Sequence, residues 1–143
     1  MPIRTSEAEW HGGLRDGQGT MRVGNGVYEG AYSFTSRFAE GAGTNPEELI
    51  AAAHAGCFSM AFSAMLADAG HPPTRVHTTA RVHIDPVAGG FAIMKIDLIT
   101  DAQVAGIDAE TFQQIAGEAK KNCPVSKALA AVPEITLDAK LVE

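Results

Sequence analysis

The stretch NPEELIAAAHAGCFSMAFSAMLA, Asn45 to Ala67, decides how the rest of the chain is read. Asn45 suits an N-cap and Pro46 the first helical position. Glu47 and Glu48 put carboxylates in the first turn, Glu48 at the capping-box position. Gly70-His71-Pro72-Pro73 then stops the helix. From Pro46 to Ala67 such a helix runs roughly 30 Å, while the radius of gyration of a domain this size is only about 14 to 15 Å. It is apolar nearly all round, so a sheet can cover one face only, and a second subunit is expected over the other. The segment is long enough to span a bilayer. It is nevertheless alanine-rich, carries His54, Ser59 and Ser63, and has Glu47, Glu48 and Asp68 at its ends with no basic or aromatic anchors, which reads as a buried helix.

Outward from this helix, glycines separate three strands on the N-terminal side: roughly Arg4 to Trp10, Gln18 to Val23, and Tyr28 to Phe34, followed by a loop through Glu40 to Gly43. On the other side Val76, Thr78, Ala80, Val82 and Ile84 alternate with polar residues. Asp85 to Gly90 turns the chain, and Met94, Ile96 and Leu98 return as the second strand of a hairpin. A second helix is expected from near Asp108 to Asn122, with Phe112, Ile115 and Ala119 on one stripe. Pro124 opens a short helix to about Ala130, and Ile135 to Leu141 alternates as a last strand. Strands and helices are segregated, so the class is α+β.

With 143 residues, 45% of them hydrophobic and 20% charged, the chain is read as a single domain, 1–143. A net charge of -6 without any Lys/Arg block gives no footprint for nucleic acid or an anionic membrane, and both drop out as partners. The N-terminus, MPIRTSEAEWHGG, lacks the apolar core of a secretory signal, which points to the cytoplasm. Two cysteines are too few for a disulfide scaffold, and a cytosolic disulfide is more often catalytic or redox-sensing than structural.

Cys57 lies in the middle of the long helix, where an inert core thiol is the ordinary expectation. Cys123 follows Lys120, Lys121 and Asn122 and precedes Pro124, so it lies at a helix break where amide N–H groups and two lysines favour a thiolate; a small side chain filling a kink reads as well. His54, one turn before Cys57, is either a proton acceptor for that thiol or a polar residue satisfied in the core. A zinc site drawn from His54, Cys57, Cys123 and His71, His77 or His83 lacks the close ligand pairs of structural sites.

Taken together, Gly43-Thr44-Asn45-Pro46-Glu47-Glu48-Leu49-Ile50, Ala52-Ala53-His54-Ala55-Gly56-Cys57-Phe58-Ser59-Met60-Ala61 and Asn122-Cys123-Pro124-Val125-Ser126 resemble the OsmC branch of the OsmC/Ohr family of thiol peroxidases. Trp10, the Phe34-Thr35-Ser36-Arg37-Phe38 run and Pro133-Glu134-Ile135-Thr136-Leu137 extend the likeness over essentially the whole chain. Gly56 stands where the family more often has alanine. His54 and Cys123-Pro124-Val125 set the chain apart from the Ohr branch, which usually has Tyr ahead of its cysteine and Cys-Pro-Tyr after the break.

The resemblance implies an OsmC-like fold, antiparallel sheets around a long buried central helix in an intertwined homodimer. It also implies a peroxidatic Cys57, a resolving Cys123, an Arg37 that activates the thiol and a Glu47 that orients the arginine. The expected reaction is reduction of an organic hydroperoxide through a Cys57 sulfenic acid and a Cys57–Cys123 disulfide, regenerated by an external dithiol, for which a lipoyl-type dithiol is the candidate, with no cofactor. The apolar neighbours Leu49, Ile50, Phe58, Met60, Phe62 and Met65 are expected to favour organic substrates. Glu47 and Cys57 are about 15 Å apart along one helix, so Arg37 and Glu47 are expected to approach Cys57 from the other subunit. The alternatives are a redox-sensing binding module with little turnover and a cysteine hydrolase using His54.

Overall fold

In the computed structural model, which describes every residue from Met1 to Glu143, the chain opens with a three-stranded antiparallel sheet. Its order is β1 (Ser6–His11), β2 (Gln18–Val23), β3 (Tyr28–Tyr32). Trp10 and Tyr32 face each other at 5.2 Å between ring centroids. The two rings close over Gly19, where a Cβ would come within 2.7 Å of both, so this position has no room for a side chain. The expected strand through Phe34 stops at Tyr32, because Ser33 caps a short helix, α1 (Phe34–Phe38). The cap is reciprocal: Ser36 N–H donates to Ser33 Oγ at 3.2 Å and Ser33 N–H to Ser36 Oγ at 2.8 Å.

The long helix, α2 (Pro46–Asp68), begins where the sequence places it. Asn45 Oδ1 accepts the Glu48 N–H at 2.8 Å, while Asn45 Nδ2 donates to Ser36 O at 2.9 Å. One buried side chain thus caps α2 and ties it to α1. Glu48 does not complete a capping box; its carboxylate accepts from Thr44 Oγ1 at 2.9 Å. Asn45→Ala is expected to cost about 2 kcal/mol, since it removes the cap and leaves the Ser36 carbonyl unpartnered. Asn45→Asp, which keeps the cap acceptor, should cost less. Urea unfolding of the two variants checks the order.

The chain divides into two units, Met1–Leu49 and Ile50–Glu143. In the second, β4 (Arg75–Val87) and β5 (Gly90–Gln103) form the expected hairpin, longer at both ends than the alternation alone indicates. Lys95 pairs with His83 but Ile93 with Ile84, so Met94 is the extra residue of a bulge. It is 37% exposed rather than inside, and the buried face of β5 is Ile96, Leu98, Thr100 and Ala102. The chain then forms α3 (Ala109–Asn122), capped by Asp108, and α4 (Pro124–Ala128) before β6 (Glu134–Val142). β6 lies parallel to β5, so this sheet is mixed rather than wholly antiparallel.

Phe58, Phe62 and Leu66, one stripe of α2, are fully buried with Leu98, Ala102, Phe112, Ala116 and Ala119. Phe62 sits between Phe58 and Phe112, at 5.5 and 5.3 Å between centroids. Ser59 Oγ donates to Thr78 Oγ1, which meets Thr100 Oγ1 at 3.0 Å and ties the helix to β4 and β5. Within the single chain, however, α2 is not buried all round. Ala52, Gly56, Met60 and Ala64 make an exposed stripe, Met60 at 78%, and the helix is long and apolar enough to cross a membrane by length and composition.

Candidate active site

Arg37 and Glu47 meet in the N-terminal unit. Arg37 stands in the last turn of α1 and Glu47 in the first turn of α2, and the Asn45–Ser36 hydrogen bond holds those turns together. The guanidinium forks onto the carboxylate, Nη2 to Oε1 at 2.7 Å and Nε to Oε1 and Oε2 at 3.1 and 3.2 Å. The Glu47 side chain is only 8% exposed, so this is a shielded, charge-assisted pair. The fork leaves Nη1 without a partner in the chain, and a cavity of about 290 Å³ lined by Trp10, Leu14, Tyr32, Phe34 and Phe38 opens beside Arg37. The sequence drew attention to the arginine but not to this aromatic wall.

Cys57 and Cys123 meet in the C-terminal unit. Both are free thiols, Cys57 half-buried in mid-α2 and Cys123 fully buried between α3 and α4. They lie close enough for each to shift the titration of the other. Burial pushes the Cys57 thiol up, its hydrogen bond to Cys123 adds to this, and the Val125 amide N–H opposes it. Burial also raises Cys123, but the Cys57 S–H, the Ser126 and Val125 amides and the Ser126 hydroxyl outweigh it, leaving Cys123 below the usual thiol value. Hydrogen bonding within this unit therefore favours charge on Cys123, and a thiolate at Cys57 requires a cation that the unit does not supply at that sulfur.

His54 does not serve Cys57. Its Nε2 lies 2.7 Å from Ser126 Oγ, the ring is fully buried, and burial holds it below the ordinary imidazole value. The remaining ring nitrogen, Nδ1, has no hydrogen-bond partner, so no Cys57–His54 hydrolase dyad is formed. Phe58 and Phe62, expected beside the thiol as a substrate wall, are committed to the core. Ser126, quoted in the motif without a role, is the residue that reading missed; its position one turn after Cys123, behind a proline that starts a helix, was the available signal. No three His, Cys, Asp or Glu side chains converge as a metal-holding group.

The family described as OsmC-like protein matches residues 39–138. The chain is 51% identical over 139 residues to Peroxiredoxin OsmC of Escherichia coli (strain K12), covering 96% of each sequence. It is 37% identical over 100 residues to an organic hydroperoxide resistance protein of Xanthomonas axonopodis pv. citri (strain 306), covering 69% of this chain and 68% of that one. Among solved structures, an organic hydroperoxide resistance protein from Elizabethkingia anophelis superposes with a TM-score of 0.72 at 26% identity, over 99% of this chain and 98% of that one. The chain is therefore a member of the OsmC family, α+β in fold and a thiol-dependent peroxidase in chemistry.

Proposed function

We propose that this peroxidase reduces organic hydroperoxides to alcohols through Cys57, with Cys123 as the resolving thiol and an external dithiol, of lipoyl type, as reductant. The observation that carries the proposal is the contact between two sulfurs of unequal access, Cys57 half-buried and Cys123 enclosed. A hydroperoxide can approach only the first. The Cys57 thiolate attacks the distal peroxide oxygen, the O–O bond breaks, and the alkoxide leaves as alcohol with a proton. The Cys57 sulfenic acid is then attacked by Cys123, water leaves, and the disulfide blocks further oxidation. The dithiol returns both thiols and becomes a disulfide itself.

In this scheme Arg37, oriented by Glu47, supplies the cation that Cys57 lacks, and its aromatic cavity receives the organic part of the substrate. We place this site in a homodimer, for which the exposed Ala52, Gly56, Met60 and Ala64 stripe speaks: a partner would cover it, and Arg37 and Glu47 of that partner would face Cys57. The chain acts as one OsmC-like domain in the cytoplasm, where dithiol reductants keep the cycle running. With cumene hydroperoxide and excess dihydrolipoamide, the protein is expected to turn over many times. Consumption that stops after about one equivalent per chain, with the dithiol still in excess, would mark a redox sensor instead.

A further inference from the structure

The chemistry above leaves His54 and Ser126 unexplained. His54 is fully enclosed and its Nδ1 has no partner, an unfavourable arrangement for a buried polar atom. Its one bond, Nε2 to Ser126 Oγ at 2.7 Å, is buried and joins residues 72 positions apart. His54 precedes Cys57 by three residues on α2, and Ser126 follows Cys123 by three into α4. Three residues are close to one helical turn, so the His54–Ser126 bond and the Cys57–Cys123 contact are successive rungs between the same two segments. Ser126 adds a second link, because it lies one turn from Cys123 at the start of α4, and its hydroxyl and amide both help hold the Cys123 thiol below its usual value.

The proton positions follow. An unpartnered lone pair at Nδ1 costs less than an unpartnered N–H, so Nε2 carries the proton and donates to Ser126 Oγ. The Ser126 O–H is then left to donate to Cys123. Burial keeps the ring neutral, and the relay brings hydrogen bonds to the sulfur without bringing charge.

We propose that His54 and Ser126 are positioning residues for the reductive half-cycle: they keep Cys123 in register with Cys57 and stabilise it as the departing thiolate, so that the dithiol opens the disulfide at Cys57. The proposal rests on the disulfide of the peroxidase reading. A reductant thiolate forms a bond to Cys57 Sγ, the Cys57–Cys123 bond breaks, and its electron pair stays on Cys123, where the Ser126 hydroxyl receives it. The second reductant thiolate displaces Cys57, giving the oxidised dithiol, and the protons it lost go to the two cysteines. Access agrees with this direction, Cys57 being half-buried and Cys123 enclosed, and the better-stabilised thiolate leaves faster.

The test uses the full chain with its disulfide formed by diamide, which needs no peroxidase activity. Dithiothreitol reduction of Ser126→Ala is expected to be slower than wild type by about three- to tenfold. Ser126→Thr, which keeps the hydroxyl, should recover most of that rate, and His54→Gln, which keeps an N–H donor, should fall between. A monothiol, 2-mercaptoethanol, quenched early should be found on Cys57 of the wild-type protein. Wild-type reduction rates in both Ser126→Ala and His54→Gln, equal slowing in Ser126→Thr and Ser126→Ala, or an adduct on Cys123 would overturn the proposal. Failure of the peroxidase reading would show separately, as a disulfide that forms with diamide but not with hydroperoxide.

Discussion

Arg37→Ala is expected to lower peroxidase turnover by about two to three orders of magnitude. A free thiol near pKa 8.5 needs roughly 3.4 kcal/mol to reach about 6, and Cys57 starts further away, because burial and its bond to Cys123 both push it up. One guanidinium about 4 Å from the sulfur at an effective dielectric near 20 contributes about 4 kcal/mol, which makes it the dominant favourable contribution to the thiolate. With the cation removed, the thiolate fraction at neutral pH falls and the alkylation profile of Cys57 moves to higher pH. Arg37→Lys keeps a charge but cannot fork onto Glu47 while facing the peroxide, so it should recover only part of the loss. The measurement is iodoacetamide alkylation against pH in a Cys123→Ser background, where one thiol remains. An unchanged profile in Arg37→Ala would exclude the role. Mixing Arg37→Ala with Cys57→Ser chains should restore part of the activity through hybrid dimers, and none regained in confirmed heterodimers would remove the partner subunit from the site.

Most of the fold was legible because local and long-range signals agreed. Asn45-Pro46-Glu47-Glu48 and Gly70 bound α2 to within a residue, since capping and proline geometry depend on few neighbours. α1 was missed because Phe34–Phe38 is a single turn with no periodicity to detect; its only mark is Ser33 followed three residues later by Ser36. The direction of β6 was hidden for another reason. Period-two alternation is the same for parallel and antiparallel strands, and the usable signal was the long α3–α4 connection between β5 and β6, the kind of crossover that parallel pairing needs. Met94 was misplaced because a bulge shifts the alternation by one residue without altering composition.

The site was legible at its cysteines and at Arg37 and Glu47 through motif likeness, not through physics alone. Nothing in the spacing of Arg37 and Glu47 shows that they fork together; that depends on Asn45 bridging two helix ends. Ser126 escaped notice because a serine one turn after a cysteine is common. Its meaning comes from His54, 72 residues away in sequence.

Cys57→Ser is expected to consume no hydroperoxide, the largest effect of any substitution in the chain. Cys123 remains in that variant, with its hydrogen bonds to Ser126, but it is 0% exposed and no peroxide reaches it. Cys123→Ser should consume about one equivalent, stop as a sulfenic acid, and pass to sulfinic acid in excess peroxide, because nothing resolves the oxidised sulfur. Both variants stop the cycle, and the step at which each stops tells the roles apart. The most direct test is peptide mass mapping of wild-type protein after about one equivalent of cumene hydroperoxide, quenched at successive times with an alkylating agent. Oxidation is predicted to appear first on Cys57 and then as an intramolecular Cys57–Cys123 disulfide about two mass units lighter than the reduced chain. Alkylated, unoxidised Cys57 beside an already modified Cys123 would contradict the account.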